Sequence, residues 1–527
     1  MDQLKQKFQD LTVLLASALA LSACGGGGDS GNTQSTSSSS TGSTATSVQA
    51  TATAKVEQSK AATTPPTQEV PVAIADATGT ILTTSTTGTI DHTNLFFTAL
   101  GNGRSCASCH QESQAWSVTP AQIQARFTSS NGADPIFQLV DGANSPNATV
   151  TTLAQKQAAY SMLLNKGVIR VGLPIPSGAQ FELTQVNDPY GFASAAELSL
   201  FRRPLPTTNL KFENTVMWDG REVFSSTNTT NCIANASPAE CFTSTNFDLL
   251  DQANSAVKGH AQLATGITAA QQQAVVAFES ALYTAQASDN AAGSLTAAGV
   301  TGGPKNLSGV TSYFGINDFF AGDYQTKARF NPNAMTMFGA WINNAPPPPA
   351  PPAPGTRGAP PPAGVTATAQ AQASIARGEQ IFNTRPMAIT GVNGLNDVLN
   401  QPTFRGSCST CHDTPAAGTQ SVPRLMNTGV AAAVLRTPDM PLYTLKNIAT
   451  GATVQTTDPG RALVTGDWSD IGKFKVPNLR AMAARAPYFH NGSQPNLAGV
   501  VQFYNHRFQM GLSQQEATDL TNFLQSL

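Results

Sequence analysis

Cys106-Ala-Ser-Cys109-His110 recurs, as a spacing, at Cys408-Ser-Thr-Cys411-His412. Two cysteines three apart with a histidine directly after is the attachment signal for c-type haem. One helical turn sets both thiols on one side, where each can bond a haem vinyl group, and the adjacent imidazole then reaches the iron. A single copy would also suit a fragment of a zinc site. Two copies that use four of the seven cysteines predict two covalently bound c-type haems, with His110 and His412 as proximal ligands.

At 527 residues the chain has room for two or three domains. Its formal net charge of -2 gives no electrostatic case for nucleic acid. Only 12% of residues are charged, against 43 Gly and 34 Pro, a balance that suits an exported protein with long polar loops. Lys5 and Lys7 precede the apolar run Leu11 to Leu21, which is too short for a stable membrane span and reads as a signal-peptide core. Leu21-Ser22-Ala23-Cys24 fits a lipobox whose cysteine is acylated; the alternative is an ordinary signal peptide with an incidental cysteine. Gly25 after it resembles lipoproteins sent to the outer membrane, so the expected address is periplasmic or cell-surface, with a lipid anchor at Cys24. An oxidising compartment favours a disulfide between Cys232 and Cys241, against two free thiols.

Residues 25–85 are rich in Gly, Ser, Thr and Ala and predict a disordered tether. The expected division is then a signal peptide over 1–24, a first haem domain over 86–345, a Pro-rich linker over 346–365 and a second haem domain over 366–527. Helices are predicted from Thr119-Pro120 through Phe127, over Thr152 to Asn165, Phe247 to His260, Thr268 to Ala285, Ala369 to Phe382, Asn496 to Tyr504 and Ser513 to Leu524. Val168 to Leu173 and Phe181 to Val186 read as a short hairpin. The expected fold class is mainly α.

Function turns on the sixth position of each iron: a carrier fills both, whereas a peroxidase leaves one open. Between Gln111 and Gly259 there is no histidine, and Met162 and Met217 are the only thioethers. An open first iron follows. The next histidine is His260, and three roles are open to it: acid–base partner of peroxide, sixth ligand, or structural residue. For the second haem the candidates are Met426, Met482, His490, Tyr504, His506 and Met510. Leu497, Val500, Val501 and Tyr504 share one helical face, which turns Tyr504 inward and His506 outward. Tyr504 is then either a phenolate ligand or a core aromatic. Trp218 sits in the polar turn Met217-Trp218-Asp219-Gly220-Arg221, as core packing or as an electron relay.

Together these residues resemble the bacterial dihaem cytochrome c peroxidase/MauG family, from about residue 90 to 527. The two haem motifs carry the resemblance with Trp218-Asp219-Gly220-Arg221, Phe474-Lys475-Val476-Pro477-Asn478-Leu479-Arg480 and Ala486-Pro487-Tyr488-Phe489-His490-Asn491-Gly492. The resemblance implies two cytochrome c-like domains, peroxide chemistry at the first haem, electron transfer or storage at the second, and Trp218 between them. It implies a second-haem ligand fourteen residues after His490, which is Tyr504, as in MauG-like members. Two departures stand out. No histidine follows the first motif closely, and no glutamate falls at 258–262, where His260 is the natural substitute. The family also binds a calcium ion between the haems, largely through backbone oxygens; the corresponding positions lie near Arg485 and Pro487.

The leading expectation is therefore peroxide-dependent oxidation, with hydrogen peroxide as substrate. The reductant would be a small periplasmic donor, a c-type cytochrome or copper protein, or a side chain on a protein substrate as in MauG. The alternatives are a non-catalytic dihaem electron carrier and an oxygen-dependent dihaem oxygenase.

Overall fold

Helices begin where a side chain can satisfy the first free amides. Thr119 accepts from the Gln122 amide and sets Pro120 in the first turn of a helix over Pro120–Ser130. Thr268 and Gln271 form a reciprocal capping box on Ala269–Ser280. Ser513 and Glu516 form another on Gln514–Gln525, and Asn496 caps Leu497–Arg507. The computed structural model describes residues 68–222, 238–297, 299–347 and 364–527, with main chain alone over 238–246. The expected signal peptide with Cys24, the tether up to residue 67, Cys232, the side chain of Cys241 and most of the Pro-rich linker lie outside the described residues. The described residues belong to one compact unit.

The long helix Ala367–Thr384 crosses the closing helix Gln514–Gln525 against a glycine. A Cβ on Gly378 would come 2.0 Å from the Asp519 carbonyl oxygen, so the two backbones approach as no other residue would allow. Asp519 then accepts from Arg377 Nε at 2.7 Å and from Ser374 Oγ at 2.6 Å. This pair anchors an apolar core that includes Phe338, Phe382, Val501 and Phe523, with Cys408 and Cys411 at its edge. A second core gathers Phe96, Trp116, Val275 and Phe278 beside Cys106.

Strands carry more of the structure than the sequence reading allowed. Among the described residues helix takes about 30% and strand about 18%, so the expectation of a mainly α protein is corrected. Gly79–Ser85 pairs antiparallel with Leu282–Asp289. Ordered structure therefore starts ahead of Thr86, inside the stretch assigned to the tether, and the helix expected to reach Ala285 stops at Ser280. The buried hydroxyls of Thr83 and Thr284 meet at 2.8 Å across this pair, which accounts for threonines in a strand whose outer neighbours look like linker.

The predicted hairpin is also corrected. Ile169–Leu173 pairs with Leu198–Arg202, whereas Phe181–Asn187 pairs with Leu442–Asn447, which in turn pairs with Thr453–Thr456. Each segment is a strand, but neither is the other's partner. The second pairing joins the two sides of the Pro-rich linker in one three-stranded sheet.

Candidate haem sites and the wall between them

The first CxxCH motif opens on a short 3-10 turn, Cys106–Ser108, in which the amide of His110 donates to the Cys106 carbonyl at 3.0 Å. Both thiols are free, and burial pushes Cys106 up to about 12 with the nearby Glu279 carboxyl adding to it. They floor a cavity that encloses about 1650 Å³ of empty space, its mouth included. Leu100, Val216, Leu249, Val257 and Val275 are among its walls. His110 Nδ1 lies 3.1 Å from the Trp116 carbonyl oxygen. A carbonyl only accepts, so Nδ1 carries the proton and Nε2 keeps its lone pair. Burial lowers the imidazole to about 4, which leaves it neutral, the form that binds iron.

The second motif repeats this design. Cys408–Thr410 forms the turn, and the thiols of Cys408 and Cys411 are free, each pushed up to about 12 by burial. His412 Nδ1 is hydrogen-bonded to the Gly418 carbonyl oxygen, and burial lowers the ring to about 4. The cavity above it encloses about 1550 Å³, mouth included. Paired unoxidised thiols at the floor of a large apolar cavity, beside an imidazole with one nitrogen tied and one open, fit covalent c-type haem at both positions.

Facing the first cavity, His260 Nδ1 lies 2.6 Å from Asp141 Oδ2. A carboxylate only accepts, so this bond fixes the proton on Nδ1 and leaves Nε2 basic. Asp141 is held from its other oxygen by Arg104 Nη1 at 2.5 Å. Burial alone would raise Asp141, but the bonds and charges of His260 and Arg104 outweigh it and lower its pKa. The main chain of His260 is held too: its carbonyl oxygen accepts from Asn102 Nδ2 at 2.9 Å and Arg104 Nη1 at 3.2 Å. Gly101, at φ +40°, brings the loop ahead of the haem motif so close that a Cβ would sit 2.0 Å from the Ala261 carbonyl oxygen. His260 is thus clamped to the segment that precedes Cys106.

The same cavity holds a group the sequence reading missed. Glu279 is 6% exposed and has no hydrogen-bond partner among the described residues. Burial alone raises its carboxyl to about 8. It sits in the last turn of Ala269–Ser280, where the helix dipole also disfavours a negative charge. The folded state therefore keeps its proton between about pH 4.5 and 8 while the unfolded chain loses it, so this group makes stability fall as pH rises through that window. We expect Glu279→Gln to remove that slope. Urea unfolding of the haem-loaded protein should show the variant gaining on the wild type by up to about 1.4 kcal/mol per pH unit from pH 5 to 8. A constant difference over that range would reject it.

Around the second cavity stand Met426, Met482, His490, Tyr504 and Met510. His506, the remaining sequence candidate, is exposed. The inward turn of Tyr504 and the outward turn of His506 are as the helical phase predicted. Burial pushes the Tyr504 phenol up to about 12, so an anion there needs a cation beside it. His490 is 1% exposed and stacks on Phe474 with ring centres 4.1 Å apart. Neither of its ring nitrogens finds a hydrogen bond, the carboxylate of Asp458 standing off at 3.6 Å.

Trp218 lines both cavities. Its Nε1 donates to the Arg203 carbonyl oxygen at 2.8 Å. The turn that presents it is locked from below: Asp219, fully buried, accepts from Arg202 Nη1 at 2.5 Å and Arg221 Nη1 at 3.0 Å. Against the pull of burial, these two guanidiniums hold its carboxyl at about 2. Arg202 also meets Asp458 at 2.8 Å, and Arg461 Nη1 donates to the Gly220 carbonyl oxygen at 2.7 Å. Arg203, Pro204, Leu205 and Pro206 share the dividing wall with Lys475, Pro477 and Asn478. The first cavity is thus completed by residues from the far side of the Pro-rich linker.

Among the described residues no group of three or more His, Cys, Asp and Glu could hold a metal ion, and no helix is long and apolar enough to cross a membrane. No family model matches the chain. It is 34% identical over 138 residues to the cytochrome-c peroxidase IdrP2 of Denitromonas iodatirespirans, covering 24% of this chain and 37% of that one. It is 44% identical over 72 residues to the cytochrome c peroxidase Ccp of Escherichia coli K12, covering 13% and 15%. With the cytochrome c551 peroxidase of Nitrosomonas europaea it shares 32% over 145 residues, covering 26% and 37%. The chain thus spans between 15% and 37% of the length of these three relatives. A crystal structure of a MauG-like protein associated with microbial copper homeostasis aligns over 76% of this chain and 89% of that one, at 15% identity. Its TM-score of 0.26 is too low to carry the fold. These relatives define a class of c-type haem oxidoreductases. Within that class, the chain is similar over part of its length to bacterial cytochrome c peroxidases.

Proposed function

We propose that the chain is a dihaem peroxidase that reduces hydrogen peroxide in the first cavity with electrons delivered through the second. Cys106 and Cys109 would attach one haem and Cys408 and Cys411 the other, with His110, His412 and Tyr504 as axial ligands. When bound, the haems supply the redox chemistry, peroxide reduction at the first and one-electron transfer or storage at the second. The observation that carries this reading is that His260, bonded to the buried Asp141, lines the same cavity as Cys106 and His110. Peroxide must lose a proton from one oxygen and gain protons at the other as it is reduced to water. With Nδ1 committed to Asp141, His260 Nε2 is free to take the first proton and return it to the leaving oxygen. Asp141 stabilises the imidazolium in between, and Arg104 keeps Asp141 charged.

Trp218 is the side chain positioned to couple the two cavities, because it belongs to both walls. The electrons would come from a small periplasmic c-type cytochrome or copper protein, or from a side chain of a protein substrate. The protein would be exported, anchored through acylated Cys24, and carry a Cys232–Cys241 disulfide.

Ferric-state electron paramagnetic resonance tests the assignment. A high-spin signal beside a low-spin one is expected, and Tyr504→Phe should change the low-spin signal alone. Two low-spin signals that persist on adding peroxide would establish a carrier instead, and an unchanged Tyr504→Phe spectrum would remove the phenolate.

A further inference from the structure

The resemblance to the family places a calcium ion between the haems, held largely by main-chain oxygens near Arg485 and Pro487. In this chain the Arg485 carbonyl oxygen of that stretch accepts from Arg203. We propose that Arg203 supplies the cation itself, as a fixed guanidinium that ties together the carbonyls between the two cavities, so that the protein binds no calcium there.

Arg203 Nη1 donates to the carbonyl oxygens of Lys166 at 2.7 Å and Gly167 at 3.4 Å. Its Nη2 donates to those of Val118 at 2.6 Å and Arg485 at 3.0 Å. The Arg485 oxygen lies in the stretch where the resemblance places the metal. Three separate stretches converge on one side chain, two from the first haem half and one from the second. Arg203 is 6% exposed, and no carboxylate pairs with it among the described residues. Carbonyl dipoles are its whole counter-charge, which is what a bound calcium would otherwise draw on.

Two further observations point the same way. Gly167, at φ +59°, leaves the space the guanidinium fills: a Cβ there would come within 2.6 Å of Arg203 Nη1. The neighbouring Arg485 is a second cation, spending its own donors on the carbonyl oxygens of Asn478 and Arg480 at 3.2 and 2.7 Å. Burial first and then Arg485 lower Arg203 to about 9, the sign of an already positive pocket. Calcium takes six to eight oxygens, usually several of them carboxylate. Here the carbonyl oxygens already accept from a guanidinium, no acidic group is among them, and a divalent ion would face two positive charges.

The exchange also serves the dividing wall. The main chain of Arg203 donates to the His490 carbonyl oxygen at 2.6 Å and accepts from Trp218 Nε1 at 2.8 Å. One residue thus holds the carbonyl cluster by its side chain and Trp218 by its backbone. Its guanidinium cannot be lost to a chelator.

The test uses the dihaem protein and needs no peroxidase activity. Elemental analysis after exhaustive dialysis should find no stoichiometric calcium. Chelator and added calcium should leave both paramagnetic resonance signals and the melting temperature unchanged. Arg203→Ala should melt several degrees lower, and Arg203→Lys, which keeps a charge but not the fork of donors, should fall between. Stoichiometric calcium in the wild type, or a chelator-induced spectral change reversed by calcium, would overturn the proposal. So would an Arg203→Ala protein as stable as the parent. If Arg203→Ala does not fold, the wild-type calcium content and chelator response decide alone.

Discussion

His260→Ala slows the reaction of the haem-loaded protein with peroxide by about 10²–10⁴-fold, the range that a positioned acid–base group contributes. The expectation rests on the bond between His260 Nδ1 and Asp141 Oδ2 at 2.6 Å, which leaves Nε2 as the only basic atom of the ring. Alanine removes that atom without touching either haem motif, so haem content and the spectrum of the second haem should be unchanged. Asp141→Asn is a sharper companion. Its amide can donate to Nδ1, which forces the proton onto Nε2 and takes away the base while the ring stays in place. Stopped-flow absorbance after mixing with peroxide measures both. A His260→Ala rate within a few-fold of wild type would sink the acid–base role and return His260 to a structural one.

Asp219→Ala destabilises the protein by about 3–5 kcal/mol, the cost of breaking a buried ion pair from one side. Asp219 is fully buried and meets Arg202 and Arg221 together. Its loss leaves Arg202 with Asp458 alone and frees the turn that presents Trp218. The pH dependence has a defined sign. The carboxyl is held at about 2 in the fold, below an ordinary aspartate near 3.9. Its contribution is complete above pH about 4 and is lost as pH falls through about 2. Urea unfolding at pH 7 and at pH 3 should therefore show a smaller penalty for Asp219→Ala at the lower pH. A loss below about 1 kcal/mol at pH 7 would mean that the remaining ion pairs hold Trp218 without it.

Much of the chemistry was legible because it is written in local spacing. Covalent haem needs two thiols one turn apart and a histidine after them, and both motifs fold as that geometry requires. The caps at Thr119, Thr268 and Ser513 were readable for the same reason, since a cap and its amides lie within one turn. Helical phase was enough to turn Tyr504 in and His506 out. What escaped the reading depends on residues far apart in the chain. Gly79–Ser85 looks like tether until Leu282–Asp289 lies beside it, and that same partner ends the helix expected to run to Ala285. Ile169–Leu173 and Phe181–Asn187 were recognisable as strands, but their partners sit elsewhere and no hairpin forms. Asp141 lies 119 residues from His260 in the chain, and nothing near it announces that partner. Glu279 falls inside the helix predicted over Thr268 to Ala285, but its burial is set by the cavity. Arg203 could not be placed from the sequence, because the four carbonyl oxygens that receive it come from three other stretches.

The dividing wall also makes the first cavity depend on the far side of the chain. Lys475, Pro477 and Asn478 line the first cavity, and Leu442–Asn447 pairs with Phe181–Asn187 across the same divide. Cys106 and Cys109 therefore belong to a half-built pocket for as long as the far side of the chain is unmade. Without those closing residues both thiols would face an incomplete wall, so the first cavity is a property of the whole chain and not of its own half.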